Sequence, residues 1–283
     1  MSQSIQNSMT DEGATHSQWK SLYRVGGVTA LIATALFFSD VIVLTTGAAL
    51  PNSASEWFTL MQKNKTLGLL ELYFTDLVGL TLLIPSILAL YALLRQVNTV
   101  YSALAAVSAF MGLGGVFAAN PNYSLVYLSN QYTNAATELQ RSQILTAAES
   151  VFATGMWGTG YLMAGFLVEG ALVIFSVLML RSSAFGKGIA YLGILAHGLD
   201  VLHSITVLVL TLVFNPARAS SIGSPLLAIG GTLQLFWYPL MARKLLQSGG
   251  APRKNGRIDF SHTQLQSGQA VDELYHFRNF KME

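Results

Sequence analysis

The stretch LGLLELYFTDLVGLTLLIPSILALYALL, residues 67–94, contains two acids and no lysine or arginine. As a helix it would be about 42 Å long at 1.5 Å per residue, enough to cross the ~30 Å hydrocarbon layer of a bilayer. It is also far longer than the ~9–11 residues of a strand in a membrane barrel. Because lipid offers the backbone no hydrogen bonds, the stretch predicts a membrane-spanning α-helix.

Further apolar blocks of similar character are spread along the chain. Like the first, they contain no lysine or arginine, and they occupy residues 25–46, 99–119, 158–180, 188–214 and 222–241. Together the blocks predict an all-α, polytopic integral membrane bundle of about six transmembrane helices. We expect a polar cytoplasmic N-terminus at 1–20, a membrane domain at 21–246 and a flexible cytoplasmic tail at 247–283.

The overall composition agrees with a membrane protein and excludes several classes of function. Of the 283 residues, 52% are hydrophobic and 11% are charged, whereas soluble domains have about 25% charged residues. The basic residues form no stripe of the kind that binds phosphates, so nucleic acid is not a predicted partner. The lipid bilayer is the predicted partner of the apolar blocks. The chain has no cysteine, which excludes disulfides and thiolate metal sites. No phosphate-binding glycine loop, nucleophile elbow or zinc-protease motif is present, so no catalytic residue, cofactor or metal is predicted.

The distribution of lysine and arginine predicts the orientation in the membrane. If the N-terminus is inside, ten of the sixteen basic residues flank the spans on the inner side and four lie in the outer loops. Cytoplasmic loops of membrane proteins hold the excess of these residues. Both termini are therefore predicted to be cytoplasmic, in a multi-pass protein of the plasma membrane.

Ionisable side chains within the predicted spans are the candidate functional residues. They form an intramembrane polar path of acids and histidines: Asp40, Glu71, Asp76, Glu169, His197, Asp200 and His203. An Asp at the bilayer centre costs roughly 2.5–3.5 kcal/mol, so we expect these groups to face the bundle interior. No lysine or arginine within the spans neutralises them, which favours protonated acids that donate hydrogen bonds and exchange protons. Alternatively, each acid makes an interhelical hydrogen bond that only fixes packing, worth ~0.6 kcal/mol.

His197, Asp200 and His203 form the pattern H-x-x-D-x-x-H in the fifth predicted span. Residues six apart on a helix are separated by ~9 Å along the axis and ~120° around it, so one ion does not easily bind both histidines. Helical zinc motifs instead space their histidines four residues apart. We interpret Asp200 as a carboxylate that orients one or both imidazoles, with a metal site as the alternative.

Segments 55–62 and 138–152, between the predicted spans, place aromatic or aliphatic residues at helical spacing. Each could lie flat in the headgroup region with its apolar face in lipid. Alternatively, the two segments form a helical lid that packs on the bundle.

Glycines recur in the fourth and fifth spans with an offset of 28 residues. The first set is Gly158, Gly160, Gly165 and Gly170, and the second is Gly186, Gly188, Gly193 and Gly198. Such an echo, the same glycine spacing repeated in two antiparallel helices, is typical of the inverted repeats of transporters. Close helix packing through glycine is the alternative interpretation.

Three stretches resemble a known family of membrane proteins. They are residues 67–94, the run LRSSAFGKGIAYLGILAHGLDVLH at 180–203 and the run LQLFWYPLMARKL at 233–245. They are similar to uncharacterised bacterial multi-pass proteins grouped as domain of unknown function 4386, and the similarity covers about residues 19–246. The resemblance implies a six-helix membrane protein of bacterial origin and brings no accepted substrate or catalytic residue.

The polar path supports three functional hypotheses. The first is a small proton-linked transporter, and the second is a non-catalytic membrane partner or sensor whose buried acids are structural. The third, an intramembrane metalloenzyme, is disfavoured by the histidine spacing. A route from the outer face to Glu169 and Asp200 would favour the first hypothesis. A solid core in which each acid has a single hydrogen bond would favour the second.

Overall fold

The computed structural model of the chain describes residues 2–46, 51–71 and 74–250. Within these ranges the regular secondary structure is helical and no strand occurs, so the all-α prediction is confirmed. The helices are α1 Ser2–Thr46, α2 Ala54–Lys63, α3 Lys65–Glu71, α4 Phe74–Leu94, α5 Thr99–Ala119, α6 Asn122–Asn134, α7 Glu138–Trp157, α8 Thr159–Met179, α9 Lys187–Leu210 and α10 Pro216–Gly250.

The predicted spans agree with these helices to within a few residues at most ends. The block 99–119 has the bounds of α5, while 158–180 and 188–214 correspond to α8 and α9. The block 67–94 covers both α3 and α4. Helix α1 begins well before the predicted span at 25–46, and the part of the predicted tail after Gly250 lies outside the described residues.

Within the described residues, five helical segments are long and apolar enough to cross a membrane. They are Trp19–Ser39, Leu77–Leu94, Thr99–Asn134, Glu138–Met179 and Lys187–Leu210. The chain is therefore a multi-pass membrane protein. The predicted span 222–241 lies in α10, which is not among the five, because serine, glycine, proline and Gln234 lower its apolar character.

The longer helices pack in a closed ring in the order α1, α4, α5, α8, α9, α10 and back to α1. Short connections join α4 to α5 and α8 to α9, so the members of each pair are antiparallel neighbours. Helix α4 also touches α8 and α10 across the ring. One end of the ring carries Arg24, Arg95, Arg181, Lys187 and Arg243, and we call it the basic end.

The main hydrophobic core fills the half of the ring nearer the basic end. It includes Leu83 and Leu90 of α4, Phe175 of α8, and Trp237 and Met241 of α10. Two contacts tie α1 to its neighbours there, one to the end of α10 and one to the residue that follows α4. The Arg24 Nε donates to the Gly249 carbonyl oxygen at 3.2 Å, and the Arg95 guanidinium stacks on Trp19 at 4.5 Å.

Helices α2, α6 and α7 form a second cluster at the opposite end, which we call the capped end. Trp57 and Phe58 of α2 are each only 2% exposed and pack with Leu125 of α6 and Phe152 of α7. The apolar faces of segments 55–62 and 138–152 thus contact protein, as the lid interpretation expected. Side-chain caps fix where α2 and α7 begin, since the Ser53 and Thr137 hydroxyls accept backbone N–H groups of the first turn.

Candidate functional site

The site lies where three ring helices meet, at the level where the apolar core ends. Glu169 lies in the middle of α8, and His197 and Asp200 lie on the buried face of α9. Residues three apart on a helix share a face, so both α9 side chains point toward the same neighbours. His197 is fully buried and Asp200 is 7% exposed, whereas the Glu169 side chain keeps 18% of its surface exposed.

Hydrogen bonds connect these groups into one network. The His197 Nδ1 lies 2.7 Å from Glu169 Oε2. The amide nitrogen of Gln234, on α10, donates to Glu169 Oε2 at 3.2 Å and to Asp200 Oδ2 at 2.6 Å. One NH2 group has two hydrogens and can serve both carboxyl groups at once. The network therefore links α8, α9 and α10.

Gln234 is the member of the site that the sequence analysis missed. It is a polar residue inside the apolar block 222–241, and that position was its only sequence signal. A neutral amide in a membrane span costs less free energy than a charged side chain, so it is a weaker signal of a functional site than an acid or a histidine. Its reach to α8 depends on the placement of α10 beside α9, which sequence spacing does not reveal.

Aromatic rings enclose the buried histidine on its other side. The His197 ring meets the Trp237 ring edge to face, with centroids 4.6 Å apart, and the Tyr238 ring at 5.9 Å. Both aromatic residues belong to α10 and are almost fully buried. These rings and the main core separate the network from the basic end.

Several buried polar atoms at the site have no hydrogen-bond partner among the described residues. They include His197 Nε2 and Asp200 Oδ1. Asp200 Oδ1 lies so close to the α-carbon of Gly230 that a Cβ added to this glycine would collide with the oxygen. The Ala196 carbonyl oxygen would lie 3.0 Å from that added carbon, so two oxygens face the same small space.

His203 is not brought into the network. Its Nδ1 has no partner within the described part of the chain and lies beside Gly223 of α10, where an added Cβ would be 2.9 Å away. Among the described contacts the Asp200 carboxyl group bonds to Gln234 and to neither histidine, so the interpretation of Asp200 as an imidazole partner is not supported. The carboxylate that contacts His197 is Glu169, 28 residues earlier in the chain.

The other predicted path residues are Asp40, Glu71 and Asp76. They belong to α1, α3 and α4, and their side chains lie outside the part of the chain that the structure describes. Among the residues that are described, no group of three or more histidines and acids could hold a metal ion. His197 and His203 also contact different partners, which is consistent with the helical separation of positions six apart.

The arrangement is suited to holding and exchanging a proton. The 2.7 Å contact between His197 Nδ1 and Glu169 Oε2 is short enough for direct proton transfer. The Gln234 amide, which does not itself ionise, holds the two carboxyl groups at 2.6 and 3.2 Å. The helical segments that carry them contain no lysine or arginine at 159–180, 188–214 or 222–242. Within the described residues, no fixed cation therefore neutralises the pair of acids.

Comparison with known proteins gives one family match. The model of the family described as a domain of unknown function (DUF4386) matches residues 22–240, which include Glu169, His197, Asp200 and Gln234. No curated protein and no solved structure matches this chain. Since the match covers well over half of the 283 residues, the chain belongs to the DUF4386 family.

Proposed function

We propose that this protein is a small proton-linked transporter whose proton-binding site consists of Glu169, His197, Asp200 and Gln234. The observation that carries the proposal is the sharing of one amide by two carboxyl groups, a buried one on Asp200 and a partly buried one on Glu169, with an imidazole on the latter. Ionisable groups within membrane spans are costly and commonly mark ion or proton pathways. If the acids only fixed helix packing, one hydrogen bond for each would suffice, whereas here several polar groups are linked in one network.

Asp200 is the group that we propose to bind the transported proton. Its Oδ2 accepts from Gln234, while its Oδ1 lacks a donor and faces the same space as the Ala196 carbonyl oxygen. Two acceptor oxygens side by side repel each other, and a proton on Oδ1 would replace that repulsion by a hydrogen bond. Loss of that proton would then favour a changed arrangement of α9 and α10.

Exposure along α9 and α10 supports an access route from the capped end. Residues 224–229 of α10 and 205–210 of α9 include no buried position. Six consecutive residues cover every face of a helix, so even the faces toward the ring interior are only partly covered there. The α10 turns end at Gly230, beside Asp200, and the α9 turns begin five residues after Asp200, whereas the core toward the basic end is filled. Water and a small solute could then approach Asp200 from one side only.

We place the basic end in the cytoplasm of the cell, in the plasma membrane of a bacterium. Arg24, Arg95, Arg181, Lys187 and Arg243 are gathered at that end, as the charge rule for cytoplasmic loops expects. The capped end then faces outward, and the route to Asp200 opens to the exterior. We also propose that α10 crosses the membrane, since it lies in the ring between α9 and α1.

The proposal is tested by proton flux in reconstituted vesicles that enclose a pH-sensitive dye, with an imposed membrane potential. Glu169→Gln and Asp200→Asn keep size and hydrogen bonding but remove the titratable group, so each should abolish flux while thermal stability changes little. Glu138→Gln is the control, because that acid is exposed on α7 and bonds only to Arg141 among the contacts described. It should leave flux unchanged.

The same variants distinguish the alternative function, a membrane partner or sensor whose acids only lock the helices. In that case the amide variants behave as the wild type in every flux measurement. Glu169→Ala and Asp200→Ala would then lower the unfolding temperature, because Gln234 and His197 lose their partners. Flux that persists in both amide variants would exclude the proposed proton-binding site, and absence of flux in the wild type would exclude the transporter.

A further inference from the structure

Three unpartnered polar atoms lie on the basic-end side of the network. They are Ser176 Oγ on α8, His197 Nε2 on α9 and Trp237 Nε1 on α10. All three side chains are fully buried. A buried polar atom left without a hydrogen bond costs ~1–3 kcal/mol, so three together in one region require an explanation.

Gly193 is the place where two of these atoms converge. A Cβ added to Gly193 would collide with both Ser176 Oγ and Trp237 Nε1, so the two atoms point at the same small region from different helices. Within the described part of the chain neither atom bonds to the other. A ligand that bonds both must therefore be small and must accept a hydrogen bond, since the Trp237 N–H can only donate.

His197 borders the same region. It lies four residues after Gly193, hence on the same face of α9. Its ring meets Trp237 with centroids 4.6 Å apart, and its Nδ1 is already engaged with Glu169. When Nδ1 carries the hydrogen, Nε2 is an acceptor.

We propose that one water molecule is bound between Ser176 Oγ, Trp237 Nε1 and His197 Nε2. It accepts from the Trp237 N–H, donates to His197 Nε2 and exchanges a hydrogen bond with the Ser176 hydroxyl. Buried waters typically make about three such bonds to groups that are otherwise unsatisfied. Gly193 is the positioning residue, since any side chain there would displace the polar atoms that hold the water.

This water extends the proton path beyond the network toward the basic end, an inference that rests on the proposed transport function. When a proton reaches the water, Nε2 takes it up while Nδ1 releases its own proton to the Glu169 carboxylate. One N–H bond forms and one breaks, the water is regenerated, and the imidazole stays neutral. The transfer passes through the fully buried His197, which otherwise closes the path.

Radiolytic hydroxyl footprinting tests the water itself, because radicals formed from a bound water label the residue that holds it. Trp237 is 0% exposed, and we expect it to be oxidised readily in the wild-type protein in detergent. Gly193→Ala should reduce that labelling several-fold. Gly198→Ala, on the same helix with open space at its α-carbon, should leave it unchanged. Equal labelling of Trp237 in the wild type and Gly193→Ala would overturn the proposed water.

Proton flux tests the role of the water in the path. Ser176→Ala is a small change that should fold, and we expect it to slow flux several-fold, while Ser176→Thr restores the hydroxyl and most of the rate. Normal flux in Ser176→Ala, together with lost flux in Glu169→Gln, would overturn the path extension and leave the transport proposal intact. Unchanged flux in Glu169→Gln and Asp200→Asn would instead reject transport, and with it the path extension, whatever footprinting reports about the water.

Discussion

At the scale of single residues, the site depends on what stands opposite each polar group on the facing helix. Asp200 and His203 of α9 face Gly230 and Gly223 of α10, where the missing side chains leave room for them. Gln234, one turn beyond Gly230, supplies the only donor that the described residues offer to Asp200. A glycine and an amide on α10 thus decide how the acid on α9 is held.

The residue-scale prediction concerns Gly230→Ala. The added Cβ would collide with Asp200 Oδ1 and lie 3.0 Å from the Ala196 carbonyl oxygen, so α9 and α10 must shift apart. We expect a loss of ~1–3 kcal/mol in unfolding free energy, as for overpacked cores, together with reduced proton flux. Thermal unfolding in detergent and vesicle flux measure the two effects.

Its matched control is Gly231→Ala, one residue further along, where nothing lies within 4 Å of the added carbon. That variant should be neutral or more stable by ~0.5–1 kcal/mol, because alanine favours the helix over glycine. Equal stability of the two variants would contradict the tight fit at Gly230.

At the scale of elements, the close contact of α5 with α8 depends on Gly112, on the face of α5 that packs against α8. A Cβ on Gly112 would lie 2.7 Å from the Ala164 carbonyl oxygen and 2.8 Å from the Val168 nitrogen, both backbone atoms. Small residues let membrane helices approach this closely and gain packing contacts. Close packing is the alternative interpretation of the glycine echo in α8 and α9. It holds at Gly193, whereas nothing lies within 4 Å of a Cβ added at Gly160, Gly165 or Gly170.

The element-scale prediction is that Gly112→Ala separates α5 from α8. Because backbone atoms cannot move aside cheaply, we expect a destabilisation of ~1–3 kcal/mol and a lower unfolding temperature in detergent. Gly114→Ala, on the same helix with open space around it, should not lower that temperature. An unchanged unfolding temperature for Gly112→Ala would show that the helices do not approach so closely.

At the scale of the whole molecule, the ring is asymmetric from one end to the other. The basic end has a filled apolar core and most of the described lysine and arginine, whereas the capped end has the separate cluster around Trp57 and Phe58. Between them, α9 and α10 have turns without a buried residue, and those of α10 reach Gly230, which faces Asp200. A transport site in the middle with one open and one closed side fits this asymmetry.

The whole-molecule prediction is the topology. Reporters fused before Met1 and after Gly250 should both be cytoplasmic, and a reporter inserted at Ala136, between α6 and α7, should be exported. The physical reason is the excess of lysine and arginine at the basic end. Paired reporters that are active on opposite sides of the membrane measure each position.

The two terminal reporters also decide whether α10 crosses the membrane. An exported reporter after Gly250, with a cytoplasmic N-terminal reporter, would mean an odd number of spans and would contradict our placement of α10. Export of both terminal reporters would invert the orientation.

The sequence alone determined the fold class and the position of most membrane helices. Blocks such as 99–119 are long, apolar and uncharged, and the bilayer imposes a minimum length on any helix that crosses it. Glu169, His197 and Asp200 were likewise predicted to face the bundle interior, because an ionisable side chain that faces lipid costs several kcal/mol. These inferences need only local sequence and the thickness of the membrane.

The tertiary structure decided which of these residues meet. Gln234 joined Glu169 to Asp200, and His203 stayed apart beside Gly223, because α10 packs on α9 with a particular rotation and offset. The helical period fixes which residues share a face, but the partner of that face comes from a separate helix, 34 residues away for Asp200 and Gln234 and 28 for His197 and Glu169. The convergence of Ser176 and Trp237 on Gly193 likewise depends on three helices and appears in no local pattern.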